Sequence, residues 1–256
     1  MACPLPEAWT PLLIGLVGAS VLLYGFSKTA MPVAGVLAGP VLAAALGATT
    51  ASAFAVPLLI LGDFFALALY RQHADWGLIR RLIPGVLLGV VITAVLFKFL
   101  EVRTIGRIVG VLILTSVLLE VWRTRSEHVD HRELPAMESK AAIAFFGALA
   151  GVTSMAANAG GTAMTLYLVK MRVSMLAFMG TATWFFFVIN VSKVPIVIAL
   201  GLMTRETLVA GLWFAPMIVA GALIGRVAFR KMNEKVFTNV ALLLSAVASV
   251  WLIVRG

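Results

Sequence analysis

Apolar runs follow one another along this chain with little between them. They fall at about 11–26, 31–47, 50–70, 77–99, 104–122, 141–157, 161–171, 174–201, 207–229 and 236–254. Most reach the roughly 20 residues that an α-helix needs to cross a bilayer. Hydrocarbon offers no water to satisfy backbone N–H and C=O groups, so such runs must fold as helices. Charged residues make up only 12% of the chain, against about 25% in soluble domains. The surplus apolar surface therefore faces lipid, and the expected fold is an all-α polytopic transmembrane helical protein. Two runs are short: 31–47, interrupted by Gly39-Pro40, and 161–171. From sequence alone these are either crossings or arms of re-entrant hairpins.

The 20 Lys and Arg outnumber the 11 Asp and Glu. Most of these cations fall in short loops, and no basic stripe with interleaved aromatics exists. A nucleic-acid partner is not expected. The lone Cys3 excludes an internal disulfide and a cysteine metal cluster. The first ten residues hold Glu7 and no Lys or Arg, so they lack the basic start of a cleaved signal, and the first run is expected to remain. His73, His128 and His131 lie in polar loops, which argues against intramembrane haem, and no cofactor or metal is expected. No His-Glu-x-x-His, Gly-x-Ser-x-Gly or P-loop pattern occurs, so an enzyme is not expected. Two classes remain: a small-anion transporter, and a membrane-embedded enzyme or assembly factor without a recognisable motif.

The longest polar stretch, 123–140, lies near the midpoint of the chain and suggests an internal duplication. Thr29-Ala30-Met31 recurs as Thr162-Ala163-Met164, and Gly18 maps to Gly151 at the same offset. Pro84, Gly89, Ile92 and Phe97 map to Pro216, Gly221, Ile224 and Phe229 at an offset one residue shorter. The expected organisation is a first transmembrane repeat over 1–122, a polar cytoplasmic linker over 123–140, and a second repeat over 141–256. If the ten runs alternate sides, one side collects Lys28, Arg71, Arg80, Arg81, Arg123, Arg125, Arg132, Lys140, Lys170, Arg172, Arg226, Arg230, Lys231 and Lys235. The other receives only Lys98, Arg103, Arg107, Arg205 and Arg255. The positive-inside rule then favours an odd number of crossings per half, which inverts one half relative to the other. Inverted repeats with broken or re-entrant helices at the midplane are common in secondary transporters.

Lys193 is the cation left over. It lies in an apolar run from Phe185 to Leu200, where a central lysine costs about 2.5–3.5 kcal/mol on insertion scales. Intramembrane ionisable groups usually serve function, and a held cation suits an anion in transit. The helix breakers fall at matching places, around Asn158-Ala159-Gly160-Gly161-Thr162 and around Ser27-Lys28-Thr29. A helix restarting at Thr162 or Thr29 would present free N–H groups and its positive dipole end to an anion. Asn158, Thr162, Thr29 and Ser27 could add neutral donors. Gly160 and Gly161 serve either this turn or close helix packing. Asp63 is the second anomaly. Its repeat-equivalent position is near Lys193, so it is expected to meet that lysine, either in a permanent ion pair or in one that an anion or proton opens. Asn190 shares a helix face with Lys193. Trp184, Phe185 and Phe186 read as packing or lipid contacts, and Arg71, His73, Arg80 and Arg81 as a solvated cytoplasmic loop.

At these residues the chain resembles the sulfite exporter TauE/SafE family of bacterial membrane proteins. The second half carries most of the likeness, in Asn158-Ala159-Gly160-Gly161, Gly180-Thr181-Ala182-Thr183-Trp184-Phe185-Phe186, Asn190-Val191-Ser192-Lys193-Val194-Pro195, and Pro216, Gly221, Gly225 and Arg226. The first half adds Val56-Pro57-Leu58-Leu59-Ile60-Leu61-Gly62-Asp63 and Tyr70-Arg71-Gln72-His73-Ala74-Asp75-Trp76. In many members the first break is glycine-rich, whereas here it reads Gly25-Phe26-Ser27-Lys28-Thr29. The resemblance implies a multi-pass protein of the bacterial inner membrane that exports sulfite or organosulfonates such as sulfoacetate. The expected partners are a small anion and the lipid bilayer. Coupling to a proton or cation gradient is implied, and homo-oligomerisation stays open.

Overall fold

The computed structural model describes residues 9–46, 48–96, 139–157, 160–199 and 201–255, with isolated positions between 99 and 118. Most of the polar stretch 123–140 and Asn158 therefore lie outside the described residues. The described helices are α1 (Pro11–Thr29), α2 (Ala38–Leu46), α3 (Ala48–Tyr70), α4 (Trp76–Leu96), α5 (Lys140–Ala157), α6 (Gly160–Lys170), α7 (Met175–Ala199), α8 (Arg205–Trp213), α9 (Ala215–Lys231) and α10 (Glu234–Arg255). A 3-10 helix, Pro32–Leu37, precedes α2, and another, Arg71–His73, joins α3 to α4. No strand occurs among the described residues.

Among the described residues, five helices are long and apolar enough to cross a membrane, and α8 with α9 forms a sixth candidate span bent by 47°. Large apolar side chains such as Leu88 (57% exposed), Leu223 and Leu243 cover the outer faces, as lipid contact requires. Short polar signals set the ends. Thr10 caps α1 by accepting from Leu13 N at 3.3 Å, with Pro11 in the first turn. Thr204 caps α8 in the same way. α3, α4 and α7 each carry an internal proline, Pro57, Pro84 and Pro195. This is the polytopic all-α membrane fold that the apolar runs predict.

Packing fixes the helix directions. At one end Trp9, Phe54 and Phe214 form an aromatic cluster, joining the starts of α1, α3 and α9. At the other end Tyr70 Oη donates to Thr29 O at 2.7 Å and its ring meets Phe229, joining the finishes of the same three helices. α1, α3 and α9 thus run parallel. α7 runs the opposite way. Its early Gly180 lies against the backbone of Tyr70 and His73, and its late Val197 packs with Ala53 and Val56 near the start of α3. α4 returns from the tight turn after α3, and α5 runs alongside it, Ala144 by Gly85 and Ala148 by Gly89. Since α1 and α3 run parallel, the 31–47 segment must carry the chain back between their ends. The same holds for α6 between α5 and α7. Both short runs are therefore return paths between parallel helices.

Two interfaces have the same design. Gly25 on α1 lies against the backbone of Ile218 and Ala222 on α9, and Gly221 against that of Leu22 and Phe26. Gly151 on α5 lies against the backbone of Val86 and Val90 on α4, and Gly89 against that of Ala148. Small residues permit this backbone-to-backbone approach, which lipid-immersed helices use for cohesion. α4 and α9 correspond in the register read from sequence. On the other side of the contact Gly25 packs on α9 as Gly151 packs on α4, whereas the missing side chain of Gly18 faces the Phe214 ring.

Candidate functional site

The breaks of the two halves meet inside the bundle. α5 stops shortly after Ser154, and α6 starts at Gly160. A side chain on Gly161 would collide with the Pro32 carbonyl at 2.6 Å, and one on Gly160 would come within 3.0 Å of Ala150 O. The two glycines thus let the α6 start press against both its own preceding helix and the 3-10 helix of the first half. Met31 is extended, and Pro32 opens that 3-10 helix. A proline there leaves no surplus N–H at its first position.

Four buried polar groups converge at this level. Asp63 is fully buried on α3. Its Oδ1 lies 2.6 Å from Lys28 Nζ, and its Oδ2 accepts from Asn190 Nδ2 at 2.7 Å. Lys193, 4% exposed on α7, donates from Nζ to Ser154 O at 2.8 Å. Lys28 Nζ also stands 5.3 Å from the centroid of the Phe186 ring, within cation–π range. Counted as ionised groups, two lysines and one aspartate leave a local charge of one positive unit. A partly dehydrated positive charge attracts an anion far more strongly than it would in water.

The ion pair differs from the one the sequence predicts. Asp63 pairs with Lys28, and Lys193 donates to the Ser154 carbonyl. Lys28 reads as a cytoplasmic cation because it ends an apolar run, yet it is only 8% exposed. Its stem lies over Gly62, where a side chain would come within 3.0 Å of Lys28 Cγ. That bare patch of α3 lets the ammonium reach the carboxylate one residue further on. Asn190 does stand on the Lys193 face, where it acts as the second donor to Asp63.

Lys28 and Lys193, with Tyr24, Ser27, Pro32, Gly35, Leu59, Ser154, Gly161, Phe186 and Asn190, line a cavity of about 30 Å³. That is room for a few water-sized groups. Of the residues predicted for the site, Lys193, Asn190, Gly161 and Ser27 reach the cavity wall. Gly160 and Thr162 are buried in the first turn of α6, and Thr162 does not line the cavity. Thr29 is turned elsewhere. Its Oγ1 donates to Ala222 O at 2.6 Å and ties α1 to α9. Ser27 Oγ donates to Tyr24 O at 2.7 Å, so its proton is used within α1. Asn158 lies outside the described residues. Sequence reasoning missed Lys28, Tyr24, Ser154 and Gly35, and read Phe186 as packing. The usable signal for Lys28 was apolar sequence on both sides of it, Tyr24 to Phe26 and Ala30 to Met31. Among the described residues no three His, Cys, Asp or Glu come together to hold a metal ion.

A family model described as Sulfite exporter TauE/SafE matches residues 14–252. No curated protein and no solved structure matches the chain.

Proposed function

From the premise that the chain belongs to the sulfite exporter TauE/SafE family, a family of membrane transporters, we propose that it exports small sulfur-containing anions as a secondary transporter. Sulfite is the first candidate, with organosulfonates such as sulfoacetate beside it. The observation that carries this reading is the buried cluster of Lys28, Lys193 and Asp63 on a small cavity between broken helices. Charges this deep are costly in a membrane, and a site with one excess positive unit is relieved by an anion. Lys193 supplies the full charge, while Asn190 and the α6 start at Gly160 to Thr162 complete the surroundings. Asn158 belongs to the same break and is proposed as a neutral donor there. Asp63 serves as the coupling group, since the anion and a proton or cation both change the balance of charge around it.

The two halves act as inverted repeats, 1–122 and 141–256, joined by a polar cytoplasmic linker at 123–140. The opposite directions of α3 and α7 support this, as do the matching glycine contacts of α1 with α9 and of α5 with α4. Alternating access follows from one half tilting against the other around a fixed site. Arg71, Arg80, Arg81, Arg172, Arg226, Arg230 and Lys231 gather at the end where α3 finishes, which favours that end as cytoplasmic in a bacterial inner membrane. Membership of a transporter family weighs against the alternative of a membrane-embedded enzyme or assembly factor.

Sulfite efflux from proteoliposomes holding the purified full chain tests the proposal. Efflux above that of empty liposomes, saturable in sulfite and lost in Lys193→Met, is expected. Equal leak from loaded liposomes with and without the protein, across sulfite, sulfoacetate, sulfate and thiosulfate, overturns it. Cysteine labelling that maps the 71–81 and 203–206 loops to one side overturns the inverted arrangement alone.

A further inference from the structure

Tyr24 lies on the cavity wall and is 2% exposed. Its hydroxyl is buried and has no hydrogen-bond partner among the described residues. Buried polar groups in folded proteins are nearly always paired, so an orphan at a cavity needs an explanation. The ring itself is well held. It packs between α1, α2 and α3 with Val21, Leu42 and Leu58, and Gly35 leaves the space that the ring edge occupies, 3.5 Å from where a side chain would start. The main chain of Tyr24 is fixed too, since its carbonyl accepts from Ser27. Such a hydroxyl has little freedom to seek a partner elsewhere.

The other polar groups of the wall are already partnered in one consistent sense. Lys28 and Asn190 donate to Asp63, and Lys193 donates to the Ser154 carbonyl. An entering molecule meets the donor groups of Lys28, Lys193, Asn190 and Tyr24 on this wall. We infer that Tyr24 is a substrate-contacting, specificity-determining residue whose phenol donates to an oxygen of the transported anion. This rests on the proposed transport of sulfur oxyanions and names a residue for the same site. The ligand favoured is a compact oxyanion bearing only acceptor oxygens. A neutral phenol adds a directed hydrogen bond without adding a second excess charge to the site.

Tyr24→Phe removes one oxygen and keeps the ring, so folding is preserved. The probe is sulfite, titrated into the purified full chain in nanodiscs, with Ser245→Ala as control. Ser245 also carries a buried hydroxyl without a partner among the described residues, but it is on α10 away from the cavity. Loss of a hydrogen bond to a charged ligand weakens binding about tenfold to a hundredfold. Tyr24→Phe should show that loss with an unchanged or higher melting temperature, while Ser245→Ala binds as the unaltered chain does. Equal sulfite affinity in Tyr24→Phe and the unaltered chain overturns the assignment and leaves the transport reading standing. A Tyr24→Phe melting temperature that falls in step with affinity makes the residue structural and overturns it as well. No binding of sulfite or sulfoacetate by the unaltered chain overturns both.

Discussion

The two buried lysines are chemically alike and differently housed. Lys28 stands 2.6 Å from a carboxylate that also holds Asn190. Lys193 donates to a backbone carbonyl, a dipole without net charge. The first arrangement closes an ion pair inside one half of the chain, between α1 and α3. The second bridges α7 to the break after α5. A carboxylate cancels an ammonium, whereas a carbonyl only orients it. Lys28 with Asp63 thus forms a charge-paired frame beside Lys193.

The strongest way to break this contrast is to remove the carboxylate. Asp63→Asn should destabilise the protein by roughly 3–5 kcal/mol, because it strands the Lys28 charge in a low-dielectric setting. The double variant Asp63→Asn with Lys28→Gln should recover most of that loss, as judged by thermal unfolding in one detergent. Additive losses would show that the two groups do not depend on each other.

Lys193→Met should leave the fold nearly intact and weaken sulfite binding by about 2–5 kcal/mol, the range for truncating one partner of a buried charged contact. Titration of sulfite together with a melting curve separates the two effects. If Lys193→Met melts far below the unaltered chain yet binds sulfite normally, the roles assigned to the two lysines are reversed. Lys193→Arg sharpens the point. A planar fork is a poor substitute for a compact ammonium, so transport should fall even though the charge is kept.

The smallest effect is expected at Thr29. Its hydroxyl donates to Ala222 O and not into the cavity, so Thr29→Val should cost about 1 kcal/mol of stability and leave sulfite affinity unchanged. A tenfold loss of affinity at constant stability would return Thr29 to the binding site.

Much of this was legible in the chain itself. The apolar runs specify membrane helices because lipid permits little else, and Lys193, Asp63 and Asn190 announce themselves as polar groups where none are cheap. What the pattern could not give was the partnering. Lys28 meets Asp63 across the turn of the 31–47 segment, and Asp63 meets Asn190 from the other half of the chain. No local periodicity reports such contacts. The repeat pointed to a neighbour of Asp63 on α7 and named Lys193, but the residue that bonds it there is Asn190, nearly one turn earlier. α1 packs on α9 much as α5 packs on α4, and their sequences share too little likeness to fix a register. Tyr24 was illegible for a different reason, since an aromatic ring in an apolar run looks like packing whether or not its hydroxyl has work to do.

Pro57 and Pro195 give the two central helices a shared mechanical property. Each ring removes an N–H and crowds the carbonyl of the preceding turn, at Ala53 and at Val191. A helix is a stiff rod elsewhere and has a soft joint at such a level. In α7 that joint adjoins Lys193, so the lysine sits close to the pivot and not at the end of the lever arm. Rotation about it can sweep the helix ends through large arcs while the ammonium barely travels. Under the proposed alternating access, the faces would open and close while the centre keeps its hold.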